Sequence, residues 1–467
     1  MVEVAVMATT YPTRPHSDDV RLHVRRRRAD RAWDVGVVVA ANAVVVVGRW
    51  IRHGGLGTVD TPGGGYTAVG QLTGLLGTYA VLLELLLMVR FPPLERFFGF
   101  DRLAVFHRWT GFAAVTLLSA HTVFITVGYA ASSRQSVLGQ TGDFVEHYPD
   151  LLMAFLGMAV LLAVAFTSIR AARRRLSRET WYAVHLYAYL AVALGFAHQL
   201  AVGSDLSADP VARAWWVGMY VAVFGTWLAW RVAWPLVFNA RHQLRVQGVR
   251  QEADGVVSIS ITGRRLGEVA ARPGQFFLWR FLGGTGWAKA HPFSLSAPPT
   301  DRMLRITVKS LGDDTARFQR LHKGARVFAE GPFGTFTADL RQRRDVVLIA
   351  GGIGITPLRA MAEELLAGGG EVTLLYRVNT DRDLAFGAEL QELARSRGLI
   401  VHTLVGREIG DDTTDRLGVP ALRSLIGDIA RCDVFVCGPP ALVDAVRPRL
   451  DALHVPRANV HFERFAY

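Results

Sequence analysis

Six stretches of this chain, near residues 33–51, 66–90, 103–130, 151–169, 181–203 and 212–238, are long and apolar enough to cross a bilayer. Two of them carry paired histidines: His107 and His121 on the third, His185 and His198 on the fifth, spaced by 14 and 13 residues. An imidazole in hydrocarbon is costly, which makes an intramembrane histidine a functional residue by default. Imidazole is also a common axial ligand of haem iron. Fourteen helical residues rise about 21 Å, enough to hold two porphyrins stacked across the membrane.

The connections between the six spans alternate in charge. Basic ones are 21-RLHVRRRRADR-31, the 90–102 link, 170-RAARRRLSR-178 and 239-NARHQLR-245; the links 52–65, 131–150 and 204–211 are richer in Gly, Ser and acidic residues. By the positive-inside rule both ends of a six-helix bundle then face the cytoplasm in a multi-pass cell-membrane protein. The third and fifth helices run in the same direction, so equal depth pairs His107 with His185 near the cytoplasmic face and His121 with His198 farther out. At about 100° per residue a step of 14 returns to nearly the same helix face, whereas a step of 13 does not. The fifth helix is therefore expected to bend or overwind, with Gly195 the plausible place. Glu84, on the second span, is a second intramembrane ionisable residue and has no evident partner in the sequence. His53, with Arg49 and Arg52, ends the first span on the outer side, where a cluster of cations suits an electron acceptor.

Hydrophobic residues make up 51% and charged residues 20% of the 467, so a soluble portion accompanies the spans. The formal charge of +12 is almost all arginine, because lysine occurs only at positions 289, 309 and 323. The basic clusters border apolar spans, and membrane topology accounts for them better than nucleic-acid binding does. Two cysteines, Cys432 and Cys437, rule out a disulfide framework. The Arg-rich first 32 residues have no apolar stretch, so a removable signal peptide is not expected. After 245 the pattern turns to short alternating strands, 256–262, 276–281, 303–309 and 326–331, which predict a small antiparallel barrel. From 345 it turns to strand, helix and strand over 346–350, 357–367 and 371–377, predicting a parallel α/β domain. The expected organisation is a basic segment (1–32), a membrane bundle (33–240), a β-barrel (241–342) and an α/β domain (343–467).

The segment 350-AGGIGITPLRAM-361 places a glycine-rich turn between a strand and a helix opened by Pro357. Glycines admit a pyrophosphate close to the backbone, and the helix N-terminus offers free N–H groups. The pattern is not GxGxxG, which disfavours an ordinary Rossmann dehydrogenase. With 291-HPFSLSAPP-299, 309-KSLGDDTARF-318, 330-EGPFGTF-336, 436-VCGPP-440 and 461-HFERFAY-467, the soluble half resembles the ferredoxin–NADP reductase superfamily. Together with the histidine pairs, residues 66–467 resemble the ferric reductase and NADPH oxidase family, its bacterial single-chain oxidases in particular.

That resemblance implies FAD, two b-type haems and NADPH (or NADH) as cofactors. His107, His121, His185 and His198 would ligate the irons. His291, Pro292, Phe293 and Ser294 would form the flavin strand, with the Ser294 hydroxyl at the flavin N5 region. Lys309, Gly312 and Thr315 would hold the FAD pyrophosphate. Gly351, Gly352, Gly354, Thr356 and Pro357 would take the nicotinamide dinucleotide, Arg377 and Arg382 its 2′-phosphate, and Cys437 and Gly438 the nicotinamide ring. Phe465, or alternatively Tyr467, would cover the flavin. The implied activity is electron transfer from cytoplasmic NAD(P)H to an outer acceptor, O2 ahead of a ferric chelate. Animal-type oxidases carry a further histidine where this chain has Ile125, which sets superoxide production in question. Competing readings are a haem-bearing membrane subunit that feeds a partner, which the fused flavin module disfavours, and a non-redox transporter.

Overall fold

A computed structural model describes residues 18–57, 59–203, 206–207, 209–282, 289–310, 317–406 and 415–465. The chain divides into two compact units, one spanning Arg25–Ala233 and the other built on the chain from Trp234 onward.

In the first unit the six apolar stretches are helices: α1 (Asp18–Arg52), α2 (Gly64–Leu87), α3 (Phe100–Ser133), α4 (Leu151–Ser168), α5 (Arg178–Ala201) and α6 (Pro210–Trp227). Each contains a segment of membrane-crossing length and hydropathy. Ser177 opens α5 by accepting from the Thr180 N–H, and Asp209 opens α6 by accepting from Val211, so both starts are set by side-chain caps. The second helix is the most buried of the six. It packs closely along α3 because Gly74 has no side chain: a Cβ there would sit 2.5 Å from the His121 ring. Small residues at a helix interface permit this approach where lipid supplies no hydrophobic drive.

The bend expected in α5 is not found; α5 is an unbroken α-helix from Arg178 to Ala201. The irregularity falls instead in the sixth helix, where a wide π-turn at Leu228–Ala233 precedes Trp234–His242. Pro235 explains it: without an N–H it cannot donate the regular helical hydrogen bond to the carbonyl four residues back, and the preceding turn loosens.

The second unit holds two sheets. Strands β1 (Arg245–Ala253), β2 (Val256–Thr262), β3 (Phe276–Leu282), β4 (His291–Ser294), β5 (Leu304–Lys309) and β6 (Arg326–Phe333) form an antiparallel sheet in the order β4-β3-β6-β1-β2-β5. A lone bridge between Leu295 and Ile306 links its two edges. Alternate residues of β2, β3 and β5, among them Ile259, Trp279 and Ile306, fill its interior. The sequence pattern missed β1, whose basic, polar run reads as a connection; it is held by its hairpin with β2 rather than by its own apolar content.

Strands β7 (Val346–Gly351), β8 (Val372–Val378), β9 (Ile400–Val405), β10 (Asp433–Gly438) and β11 (Val460–Arg464) form a parallel sheet in the order β11-β10-β7-β8-β9. Helices α7 (Ile355–Ala367), α8 (Gly387–Arg397), α9 (Val419–Ile426) and α10 (Pro440–Ala452) alternate with these strands. The order reverses direction between β7 and β10, and a crevice opens at the carboxyl ends of strands at such a switch point.

Candidate functional site

The four membrane histidines meet as two pairs. Ring centres of His107 and His185 lie 6.0 Å apart, and those of His121 and His198 lie 6.4 Å apart. These are the partners that equal depth predicts. Both α5 histidines reach α3 without helix distortion. They leave α5 about 140° apart, one to each side of the line facing α3, and the length of the side chain makes up the difference.

The donor set fits a metal. An imidazole nitrogen lies about 1.1 Å from its ring centre and about 2.0 Å from a metal it ligates, so two rings flanking one iron have centres about 6 Å apart. In addition, three of the rings are engaged through Nδ1, which leaves Nε2 as the ligating atom. His121 Nδ1 donates to the Gly70 carbonyl at 2.8 Å, His185 Nδ1 lies 3.5 Å from Ser168 Oγ, and His107 Nδ1 lies 2.7 Å from Glu84 Oε1. Trp181 stacks on His185 at 5.0 Å, and the Arg173 guanidinium lies over the Trp181 ring at 4.5 Å from its centre. A cavity of about 260 Å³ is lined by Gly74, Leu118, His121, Met158, His198 and Tyr220.

Glu84 thus has a partner, which the sequence did not reveal. The cluster at the end of α1 also contains a carboxylate: Arg49 and His53 both pair with Asp209, His53 at 2.8 Å.

In the second unit β4 carries the HPFS motif against β3, with Ser294 opposite Phe276 and His291 opposite Trp279. Trp279 Nε1 donates to the Phe293 carbonyl at 3.0 Å, fixing the strand from behind. Pro292 is exposed, His291 and Phe293 are half-buried, and Ser294 is buried. The ring of Phe318 packs edge-on against both His291 and Phe293. Lys309 Nζ donates to Asp383 at 2.9 Å and holds that carboxylate below its usual range. Gly312, Thr315 and Tyr467 lie outside the described residues.

The glycine turn lies at the switch point. Gly352 and Ile353 are its partly exposed residues, whereas Gly351, Gly354, Thr356 and Pro357 are buried. The Thr356 hydroxyl donates to the Ile353 carbonyl at 3.0 Å, closing the first turn of α7. Gly354 crosses directly over Cys437 and Gly438 at the end of β10. Cys437 is fully buried, and burial pushes its thiol well above the ordinary range. Phe465 packs against the same cluster, its N–H donating to the Gly438 carbonyl at 3.1 Å. Arg377 is committed elsewhere: it donates to the buried Asp415 at 3.0 Å, as Arg449 does at 2.6 Å. Arg382 is exposed on the turn after β8.

A charge network joins the antiparallel sheet to the α/β sheet. Glu389 on α8 accepts from Arg250 at 2.5 Å and from Arg305 at 2.6 Å, and it forms an ion pair with Arg359 at 2.8 Å. Arg305 also donates to the Ser296 carbonyl at 2.8 Å, two residues past Ser294. Burial alone would raise the Glu389 carboxyl, but Arg305, Arg359 and Arg250 outweigh it and bring it down to about 2 from 4.5. A carboxyl depressed in the folded state stabilises it above its unfolded value, and that stability is lost as pH falls. Acid unfolding of this unit should therefore steepen between pH 4.5 and about 2, and Glu389→Gln should flatten it. Equal acid midpoints for the two proteins in chemical denaturation would exclude the network as the cause.

A family model described as the ferric reductase like transmembrane component matches residues 73–196, and one for the oxidoreductase NAD-binding domain matches residues 348–448. The ferredoxin reductase component of 3-ketosteroid-9-alpha-monooxygenase from Mycobacterium tuberculosis is 35% identical over 45% of this chain. The chain spans 59% of that protein's length. A flavohemoprotein from Chromobacterium violaceum is 29% identical over 53% of this chain and 64% of its own. Among solved structures, the FAD/NAD-binding domain of nitric oxide dioxygenase from Vibrio cholerae aligns at 25% identity and a TM-score of 0.39, covering 48% of this chain and 98% of that one. The chain is a multi-pass membrane oxidoreductase with a flavin- and nicotinamide-binding reductase module. One polypeptide thus joins a part similar to the ferric reductase like transmembrane component to a part similar to oxidoreductase NAD-binding domains.

Proposed function

We propose that this protein carries electrons from cytoplasmic NAD(P)H, through FAD and two bis-histidine b-type haems, to an acceptor on the outer face of the cell membrane. The observation that supports this best is the pair of facing histidine sets, at 6.0 and 6.4 Å, in the same chain as a nicotinamide crevice. The flavin and haems, when bound, supply the conversion of a two-electron donor to one-electron steps. The protein's own residues bind and orient. His107 with His185 and His121 with His198 would hold the irons, which would supply one-electron transfer, and two imidazoles for each iron would leave the acceptor to take electrons without binding the metal.

On the reductase side, His291, Pro292, Phe293 and Ser294 shape the isoalloxazine site, and the Ser294 hydroxyl is the hydrogen-bonding group at N5. Lys309, Gly312 and Thr315 grip the FAD pyrophosphate, with Asp383 positioning Lys309. Gly351, Gly352, Gly354, Thr356 and Pro357 form the dinucleotide turn. Cys437, kept neutral by burial, and Gly438 form the floor under the nicotinamide. Phe465 covers the flavin and yields to the incoming ring. Since Arg377 is taken by Asp415, Arg382 alone carries the preference for NADPH. A charged hydrogen bond to phosphate contributes about 1.5–3 kcal/mol, so Arg382→Ala should raise KM for NADPH about tenfold and leave that for NADH unchanged. An unaltered ratio of the two KM values in steady-state assays would remove Arg382 from the site.

Oxygen is the leading acceptor, giving superoxide. Ile125 favours a second reading, a ferric chelate, because it packs an apolar side chain where animal-type oxidases carry a histidine. Purified, cofactor-loaded protein with NADPH decides between them. Cytochrome c reduction that superoxide dismutase suppresses supports the oxidase, and dismutase-insensitive reduction of ferric chelate supports the reductase. No NADPH oxidation with any acceptor would sink the electron-transfer reading.

A further inference from the structure

Glu84 is a carboxyl on a membrane-crossing segment, where such a group is expensive and needs a reason. It is built into its place from two sides. Its Oε1 lies 2.7 Å from Nδ1 of His107, a close pair slightly off the line of an ideal hydrogen bond. One turn further along α3, Gly111 leaves room for it: a Cβ on Gly111 would sit 2.6 Å from the same oxygen. His107 and Gly111 are four residues apart and so share a helix face. Thus α3 presents both the imidazole and the gap that admits the carboxyl.

The second histidine pair lacks this arrangement. His121 Nδ1 donates to a peptide carbonyl, that of Gly70. Among the described residues, His107 is the one of the four with a carboxyl within ion-pair distance. A carboxylate is the stronger acceptor, and it makes the imidazole a more electron-rich ligand, which favours the more highly charged, oxidised iron.

We infer that Glu84 is a positioning residue that acts through His107 to lower the reduction potential of the first histidine site below that of the second, giving the electron path its direction. The inference rests on the proposed two-haem function. A lower potential on the cytoplasmic side makes the step from the first site to the second downhill, and the asymmetry sits in the ligand contacts rather than in the ligands, which are imidazoles throughout.

The test is a spectroelectrochemical titration of the haem-loaded full chain. Replacing outer contacts of metal ligands typically changes affinity by 10–100-fold. Glu84→Gln should lower the equilibrium constant for passing an electron from the first site to the second about tenfold, which for one electron is about 59 mV. Glu84→Ala should lower it further, and Glu84→Asp should restore part of it. The higher potential should stay constant. In a His198→Leu background, where only the first site holds iron, the single remaining potential should move by the same amount. A lower potential that stays fixed in Glu84→Gln and Glu84→Ala, a shift confined to the higher one, or loss of the low-potential haem from both variants would overturn the role. Wild-type protein that binds fewer than two haems would instead sink the two-haem reading itself.

Discussion

Replacing His198 with leucine is expected to remove one of two haems per chain and to cut acceptor reduction to background, while NAD(P)H still reduces the flavin. The pairing makes this result specific. His198 faces His121 at 6.4 Å and His185 faces His107 at 6.0 Å, so the loss of one ligand should leave the other pair complete. Leucine suits the experiment because it fills the site with an apolar side chain that hydrocarbon and the neighbouring helices accept. A neutral imidazole without its metal is the costlier occupant, so the variant bundle should fold. His185→Leu should be the complement, removing the other haem and blocking electrons upstream of the second. Haem content by pyridine haemochrome, read beside flavin bleaching under NADPH, separates the cases. Two haems retained in His198→Leu, or both lost, would contradict the pairing.

Much of this site is legible in sequence because it depends on properties that repeat locally. Membrane helices announce themselves by length and apolarity, and the alternation of basic links gives the third and fifth helices a common direction, which pairs the histidines by depth. The glycine turn is legible for the same reason: strand, turn and helix are consecutive. What sequence did not reveal depends on side chains from distant segments. Glu84 finds His107 only when α2 lies along α3. Arg377 is 38 residues from Asp415, and its commitment there removes it from a phosphate-binding role that its place at the end of β8 suggests. Arg49 is 160 residues from Asp209, so the carboxylate in an apparent cation cluster was not legible. The expected bend in α5 failed for a different reason. Angular arithmetic on Cα positions ignores the reach of a side chain, and an imidazole is long enough to close the gap.

Adding a single methyl group at Gly354 should disable the reductase module. The Cβ of Gly354→Ala would lie 2.2 Å from the Cys437 carbonyl oxygen, 2.6 Å from its carbon and 2.9 Å from Gly438 Cα. All three are backbone atoms of β10, so no rotamer change relieves the overlap; either the turn lifts or β10 moves. Neither is free, because β10 is paired on both sides, with β7 and β11, and overpacking of this kind typically costs about 1–3 kcal/mol. The proposed nicotinamide floor and the proposed pyrophosphate turn then separate. A displacement of about 1 Å at a reacting pair costs about 10²-fold in rate, and that is the loss expected in flavin reduction by NADPH. Gly398→Ala, past the end of α8 and outside the dinucleotide turn, is the control. Its φ of 75° carries a left-handed penalty of about 1–2 kcal/mol, but no atom lies within 4 Å of its Cβ, so the crossing stays intact and the rate should fall far less. Dithionite, which bypasses the nicotinamide, should reduce both haems normally in either variant. Equal rates for Gly354→Ala and Gly398→Ala would mean that the crossing of the turn over β10 does not position the nicotinamide.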